Sequence, residues 1–194
     1  MGSGAKMNVN FIITCYDREA YWPHLKKLIE SYKTIKANIA FCYNGMSNMD
    51  CDYRCDNPGL SAGDGKMICG GFNALKNNGV HRWIKLSVDS WLCKEDVILS
   101  LLNRMEREKL HYIGSDWDGT GFSTDIMFTD SIFLQEFVST FKPNLKLEKH
   151  CKQVAHRLGF FNIIPNRGRS ENSILGWTMQ HDLKKNLEFL HAQV

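Results

Sequence analysis

The segment from Asn8 to Tyr43 constrains the fold more than any other part of the chain. Asn8–Cys15 (NVNFIITC) is short, apolar and rich in β-branched residues, the signature of a buried strand. In Asp17–Tyr32, Tyr21, Trp22, Leu25, Leu28, Ile29 and Tyr32 recur at spacings of three and four, which predicts an amphipathic helix. Ala37–Tyr43 (ANIAFCY) reads as a second strand, closed by the turn pair Asn44-Gly45. Strand, helix and strand in so short a stretch form a minimal parallel crossover.

The rest of the chain extends that pattern. Met46–Gly65 is polar and Gly-rich, a loop with a short strand near Asp52–Arg54. A helix is expected over Met67–Lys76, ended by Asn77-Asn78-Gly79. A strand from Trp83 stops at Asp89, and a helix over Lys94–Lys109 follows. Strands are expected at Leu110–Gly114 and, near an edge or antiparallel, at Gly121–Phe128. Helices should follow at Asp130–Ser139 and Leu147–Leu158, then a strand at Phe160–Ile164 closed by Pro165, and a long final helix at Glu171–Leu190. Early alternation that becomes mixed later predicts one α/β domain with a mostly parallel sheet. Met1–Lys6 read as an expression-tag remnant ahead of a single domain over 7–194.

Composition removes several function classes. The formal net charge is only +3, and no basic run interleaves with aromatics, so nucleic acid is not an expected partner. No apolar run is long enough to span a bilayer, and Phe11–Tyr16 is too short for a signal-peptide core; a cytoplasmic protein is expected. Seven cysteines scattered along the chain suit a reduced protein better than a disulfide framework. Cys51 and Cys55, flanked by Cys42 and Cys69, lack the second ligand pair of a structural zinc site.

Asp89 closes a strand, and the carboxyl ends of strands are where open α/β sheets bind ligands. With Ser87 and Ser90 beside it, it offers hard oxygen donors suited to Mg²⁺ or Mn²⁺. Taken alone, Asp89 could equally cap the next helix. Other strand ends share its address in a parallel sheet: Thr14, Tyr16 and Arg18; Asn44; and the Asp64-Gly65-Lys66 segment. Together they supply an aromatic ring, amides for a base, glycines for close approach and cations for phosphates.

Two further segments carry chemistry. Asp116-Trp117-Asp118-Gly119-Thr120 matches DxDGT, the nucleophile motif of haloacid-dehalogenase-like phosphatases, in which Asp116 would attack phosphorus. No later strand ending in paired acids follows it, and a polar turn is the commoner meaning of such a string. Ser170 could cap a helix starting at Glu171, or Glu171 could act as a general base with Arg167 and Arg169 nearby. His181 is a candidate late metal ligand, and Trp117 and Trp177 could stack on sugar rings or lie in the core.

The order of these segments resembles the nucleotide-sugar glycosyltransferases of the GT-A fold, especially small family-2-like members of bacterial surface-polysaccharide or large-algal-virus type. The resemblance rests on the TCYDR loop, the strand ending at Asn44-Gly45, GLSAGDGK, and SVDS followed by WLCKEDVI, across residues 8 to 140. Ser87-Val88-Asp89 would stand at the DxD motif, with Ser87 in place of its first acid. Ser170-Glu171-Asn172 is similar to the ED-type segment of inverting members. The resemblance implies a single GT-A-like (Rossmann-like) domain, with a nucleotide-binding half at 7–92 and an acceptor-binding half at 93–194. It implies transfer of a sugar, UDP-linked by preference, to a glycan or other hydroxyl acceptor. Thr14, Tyr16, Arg18 and Asn44 would cradle the nucleotide, with Asp64 and Lys66 by the ribose and diphosphate and Ser87 a further cofactor-binding residue at the DxD position. Asp89 and His181 would hold Mn²⁺ or Mg²⁺, and Glu171 would activate the acceptor. A module within a longer chain, a phosphatase using Asp116 and Asp118, and an inactive sugar-nucleotide or glycan binder are the other readings.

Overall fold

In a computed structural model, residues 5–55, 60–116, 122–165 and 175–193 are described. In chain order the elements are β1 (Met7–Cys15), α1 (Trp22–Glu30), β2 (Ile35–Tyr43), β3 (Tyr53–Arg54), α2 (Leu60–Leu75), β4 (Arg82–Ser87), β5 (Ser90–Leu92), α3 (Glu95–Glu108), β6 (Tyr112–Asp116), β7 (Ser123–Asp130), α4 (Ser131–Thr140), α5 (Leu147–Leu158), β8 (Phe161–Pro165), β9 (Trp177–Met179) and α6 (Leu183–Gln193). Seven strands form one sheet in the order β3-β2-β1-β4-β7-β6-β8, and β5 and β9 form a separate pair.

The first crossover is as expected. β1 lies parallel to both β2 and β4, so the carboxyl ends of these three strands share one edge. From Val9 onward every residue of β1 is buried, which a strand covered on both faces requires. Phe11, Ile13 and Cys15 face a core completed by Leu25, Leu28 and Ile29 of α1 and Ile98, Leu102 and Met105 of α3. Ile12 faces the opposite core, with Met67, Ile68 and Phe72 of α2, Phe133 and Phe137 of α4, and Val154 of α5. Helices therefore cover both faces of the sheet. Within the seven-stranded sheet of the described residues, β7 runs antiparallel to both its neighbours, β4 and β6.

Three local readings change. α2 begins at Leu60, so Asp64 and Lys66 sit on a helix rather than in a loop. Helical glycine is unfavourable by about 1 kcal/mol, but here close packing uses it. A Cβ on Gly65 would lie 2.3 Å from the Phe141 ring, one on Gly70 2.2 Å from the Tyr53 ring, and one on Gly71 2.6 Å from Ile12 Cγ2. The first predicted helix is shorter, with one turn of 3-10 helix at Glu19–Tyr21 ahead of α1. The predicted final helix is interrupted. Gly176 turns with φ +62°, Trp177–Met179 pairs antiparallel with Ser90–Leu92, and α6 starts only at Leu183. By contrast α5 matches its expected span, and Asp130 caps α4, its carboxylate accepting from Phe133 N at 2.8 Å. No helix among the described residues is long and apolar enough to cross a membrane.

Candidate functional site

A cavity of about 670 Å³ opens at the carboxyl edge of β1 and β4. Thr14, Tyr16, Asp17, Arg18, Asp64, Ser87, Asp89, Thr124, Asp125, Lys146, Glu148 and His181 contribute to its lining. Seven residues singled out from the sequence thus meet there: Thr14, Tyr16, Arg18, Asp64, Ser87, Asp89 and His181. The parallel pairing of β1 with β4 accounts for the convergence, because it places Thr14 directly beside Ser87.

Asp89 is not a helix cap. It sits in a tight turn between β4 and β5, six residues ahead of α3, whose N-cap is Lys94. Three contacts hold that turn: Val88 N donates to Thr14 O at 2.9 Å, Trp91 Nε1 to Val88 O at 3.0 Å, and Asn186 Nδ2 to Asp89 O at 2.9 Å. Asn186 in turn accepts from the Thr178 hydroxyl at 2.9 Å, so the β9–α6 unit braces the turn. The Asp89 side chain is only 5% exposed. Its Oδ2 takes a 2.7 Å bond from Arg18 Nη1 and lies 2.6 Å from His181 Nδ1. A carboxylate so nearly buried is tolerable because it is paired. Arg18 reaches it through a sharp loop in which Asp17 adopts φ 51°, a region that Asp visits more readily than most residues.

A second polar cluster lies on the α2 face of the same edge. Lys85, in the middle of β4, is 1% exposed. Its ammonium donates to Asp64 Oδ2 at 2.9 Å, Ser87 Oγ at 3.0 Å and Thr124 O at 2.6 Å. Ser87 donates onward to Asp125 Oδ1 at 3.1 Å. Sequence reading missed Lys85, Asp125, Lys146, Glu148 and Asn186. In Lys85 a signal was available: a lysine amid the apolar run Trp83-Ile84-Leu86 needs a buried partner.

The remaining candidates fall elsewhere. Asn44 ends β2 at the same edge but is 1% exposed, and its side-chain amide has no hydrogen-bond partner among the described residues. Lys66 is half-buried on α2 and does not line the cavity. Asp116 closes β6, also away from the lining. Glu171, together with Ser170, Trp117 and Asp118, lies outside the described residues. Trp177 is a core residue, 1% exposed. Cys15, beside the site, is no nucleophile at neutral pH, because burial pushes its thiol up to about 12. All seven cysteines are free thiols.

The same architecture occurs in solved structures. The mannosyltransferase PcManGT of Pyrobaculum calidifontis, solved with GDP-Man and Mn²⁺, superposes with a TM-score of 0.60 at 6% identity, over 83% of this chain and 55% of that one. This chain has the GT-A fold. A glycosyltransferase involved in glycosylation of the major capsid of PBCV-1 gives a TM-score of 0.59 at 13% identity, over 95% of this chain and 99% of that one. TarS of S. aureus gives 0.54 at 12% identity, over 84% of this chain and 36% of that one. The chain therefore spans about half the length of PcManGT and nearly all of the PBCV-1 protein. No family model and no curated protein matches the sequence. Within the GT-A fold, the cavity occupies the edge where the strand order reverses, the position at which open α/β sheets bind ligands.

Proposed function

We propose that this GT-A-fold chain transfers a sugar from a nucleoside diphosphate sugar, UDP-linked by preference, to a hydroxyl group of a glycan or similar acceptor. The observation that carries this reading is the convergence of Arg18 and His181 on one oxygen of Asp89 inside the cavity. Thr14, Tyr16 and Ser87 line the same cavity. Arg18 and Lys146 offer cations to the diphosphate.

A divalent ion fits this donor set in part. Asp89 Oδ2 and His181 Nδ1 lie 2.6 Å apart and so already converge as one oxygen and one nitrogen donor. No group of three or more His, Cys, Asp or Glu able to hold a metal occurs among the described residues, so phosphate oxygens and water would complete the shell. Asp89 and His181 would hold Mn²⁺ or Mg²⁺, and the ion would neutralise charge on the departing diphosphate. Arg18, bound to the same carboxylate, supplies a permanent charge beside it. Asp89 orients both Arg18 and His181, and Asn186 fixes the turn that carries it. Glu171 is proposed as the base that takes the acceptor's proton, with inversion at the anomeric carbon.

The direct test is a thermal-shift screen with UDP-, GDP- and dTDP-sugars, with and without Mn²⁺, followed by product analysis. A donor at about a hundred times its dissociation constant stabilises by ~2.7 kcal/mol. Release of a nucleoside diphosphate together with a glycosylated acceptor supports the reading. Absence of any shift across the donor panel overturns it.

A further inference from the structure

Ser87 stands where the GT-A pattern carries an acid, yet the site does not lack a second carboxylate there. In the antiparallel register of β4 with β7, Leu86 faces Ile126, which brings Ser87 level with Asp125. The Ser87 hydroxyl donates to Asp125 Oδ1 at 3.1 Å, and Asp125 Oδ2 lies 3.3 Å from Ser123 Oγ. Because Lys85 donates to Ser87 Oγ at 3.0 Å, the serine's own proton is directed to Asp125. The relay Lys85–Ser87–Asp125 thus fixes the carboxylate's orientation with one proton per link. Asp125 lines the cavity and is half-buried within a strand whose other residues, up to its last, are sealed. A carboxylate that interrupts a buried strand and is held by two hydroxyls is built to accept hydrogen bonds.

Its place along the edge indicates from what. The strands run β2, β1, β4, β7, carrying Asn44, Thr14, Ser87 with Asp89, and Asp125 in turn. Neighbouring strands lie about 4.8 Å apart, so these four ends cover roughly 14 Å. A nucleoside diphosphate sugar also has its parts in a row. With the base toward β2 and the diphosphate at Asp89, the sugar comes to β7. We infer that Asp125, oriented by Ser87 and Lys85, accepts hydrogen bonds from hydroxyls of the transferred sugar and so selects which sugar is carried. This rests on the donor-site reading above.

The test compares the near-isosteric D125N with wild type by calorimetry, using UDP and GDP against UDP-glucose, UDP-N-acetylglucosamine and GDP-mannose. In wild type one sugar-bearing donor should bind at least tenfold more tightly than its bare diphosphate. In D125N that increment should vanish while the bare diphosphate binds within twofold of wild type. S87A, which removes the orienting donor, should lose part of the increment. An increment kept in D125N, or affinity for the bare diphosphate falling equally, overturns the assignment of Asp125 and leaves the donor site standing. A wild type with no sugar increment also overturns the assignment. A wild type that binds no nucleoside diphosphate overturns the donor-site reading and this inference with it.

Discussion

Replacing Lys85 with methionine tests the polar cluster beneath the cavity. Methionine keeps the length and apolar stem of the side chain, so the lost element is the charge. The Lys85 ammonium is 1% exposed and has three partners within 3.0 Å: Asp64, Ser87 and the Thr124 carbonyl. Removing one member of a buried ion pair costs roughly 3–5 kcal/mol, chiefly because the other charge is left uncompensated. Here Asp64 is 19% exposed and can recover some hydration, which places the loss near the lower end, about 3 kcal/mol. For a chain of this size that lowers the melting temperature by roughly 6–12 °C. Urea denaturation of wild type, K85M, D64N and K85M/D64N measures it as a double-mutant cycle. The double variant should be more stable than K85M alone, because the neutral amide of D64N leaves no stranded charge. A K85M loss under about 1 kcal/mol, or a double variant less stable than K85M, would refute the reasoning.

Three other outcomes follow from the contacts described. Under the proposed function, D89N should cut Mn²⁺-stimulated sugar transfer by on the order of 100-fold or more, since removing groups that only orient a ligand already costs 10–100-fold; product formation with and without Mn²⁺ reads it. Burial raises the Glu95 carboxyl, but hydrogen bonds from Lys33 N, the Thr34 hydroxyl, Thr34 N and Ile35 N outweigh it, so its pKa is lowered from 4.5. Glu95 therefore stabilises the fold fully above the unfolded value of 4.5 and loses that contribution as pH falls through the depressed folded value. E95Q should cost about 0.5–1.5 kcal/mol at pH 7 in a urea titration, because solvent screens this partly exposed carboxylate, with the gap to wild type closing in acid. G176A should cost at least about 1–2 kcal/mol, because the residue has φ +62° and a Cβ would lie 2.2 Å from Lys94 Cγ; melting temperature checks it.

Local pattern carried much of this structure. The spacing of Leu25, Leu28 and Ile29 places α1 against the sheet, and Asp130 opens α4, because amphipathic periodicity and capping are decided within a few residues. Strand ends were legible for the same reason, and parallel topology then brings Thr14, Arg18 and Asp89 to one edge. His181 was singled out only as a late histidine; its 2.6 Å approach to Asp89 depends on the whole chain between them. Asp125 gave no local sign of function, because its meaning lies in an antiparallel register with Ser87. Local pattern put Trp177-Thr178-Met179 in the final helix, and the structure makes them a strand because Ser90–Leu92 offers backbone partners.

The segment around Asp89 shows the division most clearly. By itself the sequence determined a buried strand breaking close to Asp89 and a helix near Lys94, because hydrophobic runs and their breaks are local; it carried the strand two residues too far, to Asp89 rather than Ser87, and did not show β5. Only the tertiary structure decided what that carboxylate does. The turn into β5 moves it away from the α3 N-terminus, and the β1 loop and the segment after β9 bring Arg18 and His181 to one oxygen. Side-chain contact at under 3 Å is a property of three chain segments meeting, which no spacing along one segment can encode.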